Sequence, residues 1–139
     1  RFEGGLGNFS GMIATGAAID YLSKQDMDAV HEHEVKLNKI MTNGVKDLNG
    51  IEIIGPEDAS LRGGICSLLM HELPAHDMAI LLDEAANVMV RSGQHCVHSW
   101  FNSKGHVNGS LRASAYMYNT EEEAKLFSDT LEEIVNAFS

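Results

Sequence analysis

The run Arg91-Ser92-Gly93-Gln94-His95-Cys96 brings a thiol, an imidazole and a guanidinium together, directly after the apolar approach Val88-Met89-Val90. A thiol is a nucleophile only as its thiolate, and a nearby cation lowers its pKa toward working pH. Cys96 follows a Ser-Gly turn, and a second arginine, Arg112, returns within the apolar run 110–115. We therefore expect Cys96, His95 and the two arginines to share a cleft.

Two other readings of these residues stay open from spacing alone. Cysteine also packs as a small hydrophobe, so Cys96 could be a half-buried residue at a strand end. A cluster of His95, Cys96, His98 and His106 could bind a soft metal. Adjacent residues rarely chelate one ion well, and the chain has no Cys-x-x-Cys pair, so we expect thiol chemistry and no metal site. A serine hydrolase is not expected, because the chain lacks the Gly-x-Ser-x-Gly elbow that carries the nucleophile in such enzymes.

Composition excludes several classes of partner. The chain has 139 residues and a formal charge of −10, which argues against nucleic acid and anionic membranes because both need a basic footprint. No apolar run reaches the length of a membrane span, and no secretory signal begins the chain, so we expect a cytoplasmic protein with reduced thiols. Cys66 lies inside an apolar run and is assigned to packing. Since the chain begins with Arg1, we expect a piece of a longer protein.

Hydrophobic periodicity gives the elements that must position these residues. The predicted fold class is α/β, of the α+β type: a mostly antiparallel four-stranded sheet with helices packed on one face, preceded by two N-terminal helices. In the helix after Pro74, we expect Ile80, Leu81 and Ala85 to face inward. Thr120 to Glu123 fits a capping box that starts the last helix. The predicted helices are 9–22, 24–47, 75–86 and one from 120, and the predicted strands are 51–54, 64–70, 88–91 and 110–115.

The polar segment between the last two strands, 96–109, contains Trp100 and Phe101 and is predicted to be a loop. Loops of this length in compact domains are commonly functional. We therefore expect the segment to shape the cleft around Cys96.

Several stretches resemble the cysteine desulfurases, pyridoxal-phosphate enzymes of the class V aminotransferase family. They are RSGQHC, LRASAYMYNTEEE, RGGICSLLM, HDMAILLDEAANVMVRSG and the opening RFEGGLGNFSGMIATGAAIDYL, which together cover essentially the whole chain. The resemblance implies that Cys96 attacks the sulfur of L-cysteine and carries it as a persulfide, for iron-sulfur cluster or other thio-cofactor assembly. It implies that Arg112 grips the substrate carboxylate and that Arg91 and His95 belong to the same cleft.

The resemblance also implies a domain organisation and a cofactor. Residues 1–24 would be an interdomain loop and helix leading from a large domain, and 25–139 the C-terminal small domain. Gly5 and Leu6 would approach the phosphate of pyridoxal phosphate in a partner subunit through their backbones only, because Leu6 and Gly7 stand where relatives have Thr-Pro. None of the six lysines follows a histidine, as the family's cofactor lysine does, so this chain alone is expected to be inactive.

The implied partners are L-cysteine, a sulfur-acceptor protein and a second copy of the full-length protein in a homodimer. Gln94, Val97 and Ser99 depart from the usual cysteine loop of the family, which often has His, Ala and Pro there. Two alternatives remain: a related aminotransferase or selenocysteine lyase, for which Arg112 would matter more than Cys96, and a non-catalytic α/β module that binds a metal or a partner.

Overall fold

The computed structural model of the chain describes residues 4–138. Across these residues, five helices and four strands follow one another, and the predicted fold class is confirmed. The elements in chain order are α1 (Phe9–Leu22), α2 (Met27–Val45), β1 (Ile51–Ile54), β2 (Ile65–Met70), α3 (Ala75–Ala86), β3 (Arg91–Gly93), α4 (His98–Ser103), β4 (Ser110–Ser114) and α5 (Glu121–Phe138), with a 3-10 turn at Ala59–Leu61 between β1 and β2.

The four strands form one antiparallel sheet in the order β1-β2-β4-β3. β2 and β4 are central, and their register pairs Cys66 with Ala113 and Ser67 with Arg112. Because side chains alternate between faces along a strand, this register assigns Cys66 and Ala113 to one face and Ser67 and Arg112 to the other.

The first face of the sheet packs against α2, α3 and α5. Cys66, Leu68 and Leu111 on this face are completely buried, and Leu37 of α2 and Leu131 of α5 meet them in the same core. Burying a leucine or phenylalanine side chain stabilises the fold by about 1.5–3 kcal/mol. This packing makes the sheet a rigid platform whose second face is free to carry polar side chains.

Local capping explains where the helices begin. The side chain of Asp26 accepts from the backbone N–H groups of Asp28 and Ala29, so α2 starts at Met27 rather than at Lys24 as predicted. The capping box of α5 is confirmed: the Glu123 N–H donates to Thr120 Oγ1 at 3.2 Å, and the Thr120 N–H donates to a Glu123 carboxylate oxygen at 2.9 Å.

Three details differ from the sequence predictions. Strand β3 starts at Arg91 rather than at Val88, because Val88 and Val90 pack against the core instead of pairing with β4. The segment 96–109 is not entirely a loop, since it contains α4. In α3 the buried side chains are Ala75, Met78 and Leu82, whereas Ile80 and Ala85 are exposed.

α1 differs from the other long helices because none of its residues is buried in the described chain. Phe9, Met12, Ile13 and Ile19 are all more than half exposed. A helix this apolar is normally covered on all sides. None of the described helices is both long enough and apolar enough to cross a membrane.

Candidate active site

The second face of the sheet places two arginines side by side. Arg91 of β3 pairs directly with Arg112 of β4, and Arg112 pairs with Ser67 on its other side. Like charges directly opposite each other on a sheet are destabilising unless something compensates them. Arg112 Nε is buried and has no hydrogen-bond partner within residues 4–138. A buried donor without a partner costs about 1–3 kcal/mol, so an acceptor that approached Arg112 from this face would offset that cost.

Two glycines are in close contact at the two ends of the segment that carries Cys96. Gly93 ends β3 and Gly109 precedes β4, with φ of 112° and 75°. A Cβ on Gly109 would lie 2.2 Å from the carbonyl carbon of Gly93, closer than real Cβ contacts come. Only glycine fits at Gly109, and the contact holds the two ends of the segment together above the second face.

His95 and Cys96 turn the chain at the start of this segment. Both adopt the left-handed backbone region, with φ of 49° and 64°, which non-glycine residues rarely occupy. Such residues cost about 1–3 kcal/mol each and persist where the surroundings hold them, often at functional sites. The turn leaves the Cys96 side chain exposed. The prediction that Cys96 lies on an accessible turn beside His95 therefore agrees with the geometry, and a half-buried strand-end position for it does not.

Gln94 stabilises the segment that carries Cys96 through two side-chain hydrogen bonds. Its amide nitrogen donates to Asn102 Oδ1 at 3.2 Å and to the Val107 carbonyl at 2.8 Å. Asn102 belongs to α4, and Val107 follows that helix. α4 buries Phe101, whose ring packs edge-on against Trp100 with centroids 5.0 Å apart. The glutamine that departs from the family pattern thus supplies a structural link between the two halves of the segment.

His95 is anchored to the sheet by Ser110. Its Nε2 lies 3.0 Å from the hydroxyl of Ser110, a residue that is completely buried at the start of β4. Burial lowers the pKa of His95, the nearby Arg112 and Arg91 charges lower it further, and the Ser110 backbone opposes the shift. His95 is therefore a neutral imidazole at pH 7, placed among the two guanidiniums.

An open cleft of about 400 Å³ lies between the second face of the sheet and α4. His95 and Val97, the neighbours of Cys96 on either side, both line it. Its polar wall holds the buried donor of Arg112. The full lining consists of Ile54, Ile65, Ser67, His95, Val97, Trp100, Phe101, Ser110 and Arg112.

Two of the predicted site residues line the cleft, and the others do not. Arg112 and His95 line it. Arg91 pairs with Arg112 on the neighbouring strand, and Cys96 lies in sequence between His95 and Val97, but neither is among the lining residues. Gly5 and Leu6 do not line it: they lie in the exposed segment before α1, where Leu6 is 97% exposed, and their role stays a prediction. Ser110 was missed because a serine within an apolar strand gives no signal in the sequence.

The other thiol lies in very different surroundings. Cys66 is completely buried in β2, and burial raises the pKa of its thiol, against the opposing effect of the Arg62 charge. A thiol that is both protonated and inaccessible is inert. The assignment of Cys66 to packing is consistent with this position.

The described residues do not by themselves fit pyridoxal phosphate. No lysine lines the cleft, so the group that would bind the cofactor aldehyde is missing there. The glycines at 4 and 5 have no neighbouring atoms within 4 Å of a built Cβ, so nothing opposite them forms a phosphate cradle. Within residues 4–138, no three His, Cys, Asp or Glu side chains are grouped closely enough to hold a metal ion.

An open cleft that contains the buried, unpaired Nε of Arg112 and is lined by both neighbours of the exposed Cys96 characterises this α/β domain, and comparison with known proteins gives its family. The family model for class V aminotransferases matches residues 1–127. The chain belongs to this family.

The relatives agree on a narrower group. The chain is 37% identical over 139 residues to a probable cysteine desulfurase of Methanothermobacter thermautotrophicus, with 96% of this chain and 34% of the relative covered. It is 38% identical over 137 residues to a probable cysteine desulfurase of Pyrococcus abyssi, with 99% and 33% covered. It thus spans about a third of the length of these relatives.

A solved structure gives the same result in three dimensions. The apo structure of a cysteine desulfurase from Thermococcus onnurineus superposes with a TM-score of 0.87 at 35% identity, over 99% of this chain and 34% of that one. A cysteine desulfurase from Escherichia coli, at 23% identity, has the same fold with a TM-score of 0.84. The predicted resemblance of this chain to a part of the cysteine desulfurases is confirmed.

Proposed function

We propose that this chain is the nucleophile-bearing, C-terminal part of a cysteine desulfurase that converts L-cysteine to L-alanine. The observation that carries the proposal is an exposed thiol, Cys96, whose two sequence neighbours line a cleft in which the buried Nε of Arg112 lacks a partner within residues 4–138. An amino-acid substrate brings the carboxylate that such a donor needs. Guanidinium groups bind carboxylates through two parallel hydrogen bonds, which also fix the orientation of the substrate.

In this mechanism, Arg112 holds the carboxylate, and Arg91 beside it adds positive charge. The Cys96 thiolate attacks the sulfur of the bound cysteine and forms a sulfur-sulfur bond. The bond between that sulfur and Cβ breaks, its electron pair stays on Cβ, and a proton takes the place of sulfur to give alanine. The persulfide on Cys96 sits on an exposed turn, where a sulfur-acceptor protein can reach it for iron-sulfur cluster or thio-cofactor assembly.

The cofactor pyridoxal phosphate is proposed to bind in the remaining two thirds of the longer protein. Residues 1–24 are proposed to connect that part to the small domain of residues 25–139. Two features support this division: the cleft has no lysine, and α1 has no buried residue although it is apolar. We propose that the longer protein is a cytoplasmic homodimer, in which the backbones of Gly5 and Leu6 approach the cofactor of the partner subunit.

The proposal is tested in the full-length protein with L-cysteine as substrate. We expect alanine release, and we expect mass mapping after one turnover to find an added sulfur on Cys96. Cys96→Ser should abolish sulfur transfer, because a hydroxyl cannot replace a thiolate toward sulfur.

Cys66→Ser is the matched control, because it removes the other thiol without touching the cleft, and it should keep the activity. Full turnover by Cys96→Ser, or persulfide found on Cys66, would contradict the proposal. Alanine release from L-selenocysteine alone would assign the chain to a selenocysteine lyase instead.

A further inference from the structure

Ser110 is a buried residue that lines the cleft and has no role in the mechanism above. Its side chain is completely inaccessible, and within residues 4–138 its hydroxyl has a single partner, Nε2 of His95 at 3.0 Å. The other ring nitrogen, His95 Nδ1, is also buried and has no hydrogen-bond partner in the described chain. The imidazole is therefore fixed at one nitrogen and unpaired at the other.

Counting unpaired groups distinguishes the two neutral forms of this ring. If Ser110 donates its hydroxyl proton to Nε2, the ring proton is on Nδ1. That N–H then lacks a partner within residues 4–138, and the Ser110 carbonyl loses the ring proton that it accepts in the other form. If the proton is on Nε2 and is shared between the hydroxyl oxygen and backbone carbonyl of Ser110, two groups lack partners: the serine O–H and the Nδ1 lone pair. Only the first arrangement pairs the hydroxyl proton of the completely buried Ser110, and its unpaired N–H belongs to a ring that lines the cleft, where a bound anion can accept it, so the first arrangement is favoured. The cationic ring would add a third charge beside Arg91 and Arg112.

We propose that Ser110 is a positioning residue that holds His95 in the Nδ1–H form, so that His95 serves the cleft as a neutral hydrogen-bond donor. His95 lines the same cleft as Arg112, and both carry a buried nitrogen without a partner. A second donor beside Arg112 suits an anionic group, here the carboxylate of the substrate. This inference rests on the proposed function for the identity of the anion, but not for the state of the ring.

The ring state is measured by NMR on the chain labelled with ¹⁵N-histidine, with no substrate present. Long-range proton-nitrogen correlations distinguish the two neutral forms, and His95→Gln identifies the His95 signals among the seven histidines. We expect the Nδ1–H form in the wild-type chain above the pKa of His95. Ser110→Ala should return the ring to the Nε2–H form that free histidine prefers in water.

Ser92→Ala is the matched control. It removes a serine hydroxyl that lies 3.3 Å from Nδ1 of a different histidine, His76, and it should leave the His95 signals unchanged. A wild-type ring in the Nε2–H form would overturn the proposal, and this result needs no variant to fold. The proposal also fails if folded Ser110→Ala keeps the Nδ1–H form.

The full-length protein supplies the second readout. Ser110→Ala should raise KM for L-cysteine roughly tenfold, with a smaller change in kcat, because a hydrogen bond to a charged group is weakened. An unchanged KM in a variant whose ring has switched form would show that the donor role is wrong. If the wild-type protein releases no alanine at all, the proposed function fails while the NMR result still decides the role of Ser110.

Discussion

The two cysteines lie in regions that differ in burial and in backbone conformation. Cys66 is in the central strand β2, on the face of the sheet that packs against three helices, and it is completely buried. Cys96 is on a turn in the left-handed backbone region. The close contact of Gly93 with Gly109 and the hydrogen bonds of Gln94 hold the segment that contains this turn. The first region is stable because its side chains fill space. The second keeps a costly backbone conformation at His95 and Cys96 and leaves the Cys96 side chain exposed, so we expect the chemistry at Cys96.

The largest expected difference is in thiol labelling. Cys96 should react with an alkylating reagent at least on the order of 10³-fold faster than Cys66, because exposing a central strand requires opening against roughly the whole stability of the domain, about 5–15 kcal/mol. Mass mapping after brief labelling of the native chain measures both rates. Equal rates in the native chain, with the expected equality in denaturant as control, would remove the distinction between the two regions.

Truncating one apolar side chain in each region tests how far packing matters there. Leu68→Ala, next to Cys66 on the packed face, should lower the free energy of unfolding by about 2–5 kcal/mol, because it leaves a cavity. Val97→Ala, next to Cys96 and half exposed, should change it by about 0.5 kcal/mol or less. Urea unfolding followed by circular dichroism measures both. A similar loss in the two variants would mean that the Cys96 segment belongs to the core.

Arg112 belongs to the rigid sheet but faces the cleft, so it connects the two regions. In the full-length protein, Arg112→Lys should lower kcat/KM for L-cysteine on the order of 10²-fold, because the variant keeps the charge but loses the paired donors that orient the substrate. Steady-state alanine assays measure this. Arg62→Lys, on the loop before β2, is the control for arginine replacement and should leave kcat/KM near the wild-type value.

The strain at Cys96 has a smaller signature. Cys96→Gly should be more stable than Cys96→Ala by about 1 kcal/mol, because only glycine adopts a φ of 64° without a steric cost. This is the reverse of their usual order in regular structure. Thermal unfolding of the two variants decides the point, and a more stable alanine variant would mean that the turn is relaxed.

The smallest effect is on the titration of His95. Because burial and the two arginines lower its pKa, Arg112→Gln should raise that pKa, although it should stay below the ordinary value since the ring remains buried. The sign for stability follows from linkage. As the pH falls, the unfolded chain binds a proton on His95 before the folded chain does. The contribution of neutral His95 to the free energy of unfolding is therefore complete above the ordinary pKa of histidine, and it is lost as the pH falls through the lower pKa of the folded chain. NMR titration of the assigned ring measures the shift.

Much of this molecule follows from patterns in the sequence, and the exceptions have physical causes. The capping box at Thr120 and the strands of β1, β2 and β4 were predicted because their signals are local. β3 was misplaced because β-branched residues such as Val88 and Val90 suit packing as well as pairing. α4 was missed because its cap residue, Val97, makes no side-chain cap, and the helix is held by the burial of Phe101.

Some residues of the candidate site could likewise be predicted from the sequence, and one could not. Cys96, His95 and the two arginines could be predicted because their chemistry is unusual for their positions. Ser110 could not, because its role depends on a contact with a residue fifteen positions away, which exists only once β3 and β4 pair. The register of the sheet, rather than the types of residue, creates that contact.

The exposed helix α1 has a consequence for the motions of the chain. An isolated helix of 14 residues is marginally stable in water, and α1 gains nothing from burial because none of its residues is buried. Its amide hydrogens should therefore exchange with solvent far faster than those of α2 and α5, which share one core. The same measurement in the full-length protein would report whether a surface closes over α1, since slowed exchange there requires one.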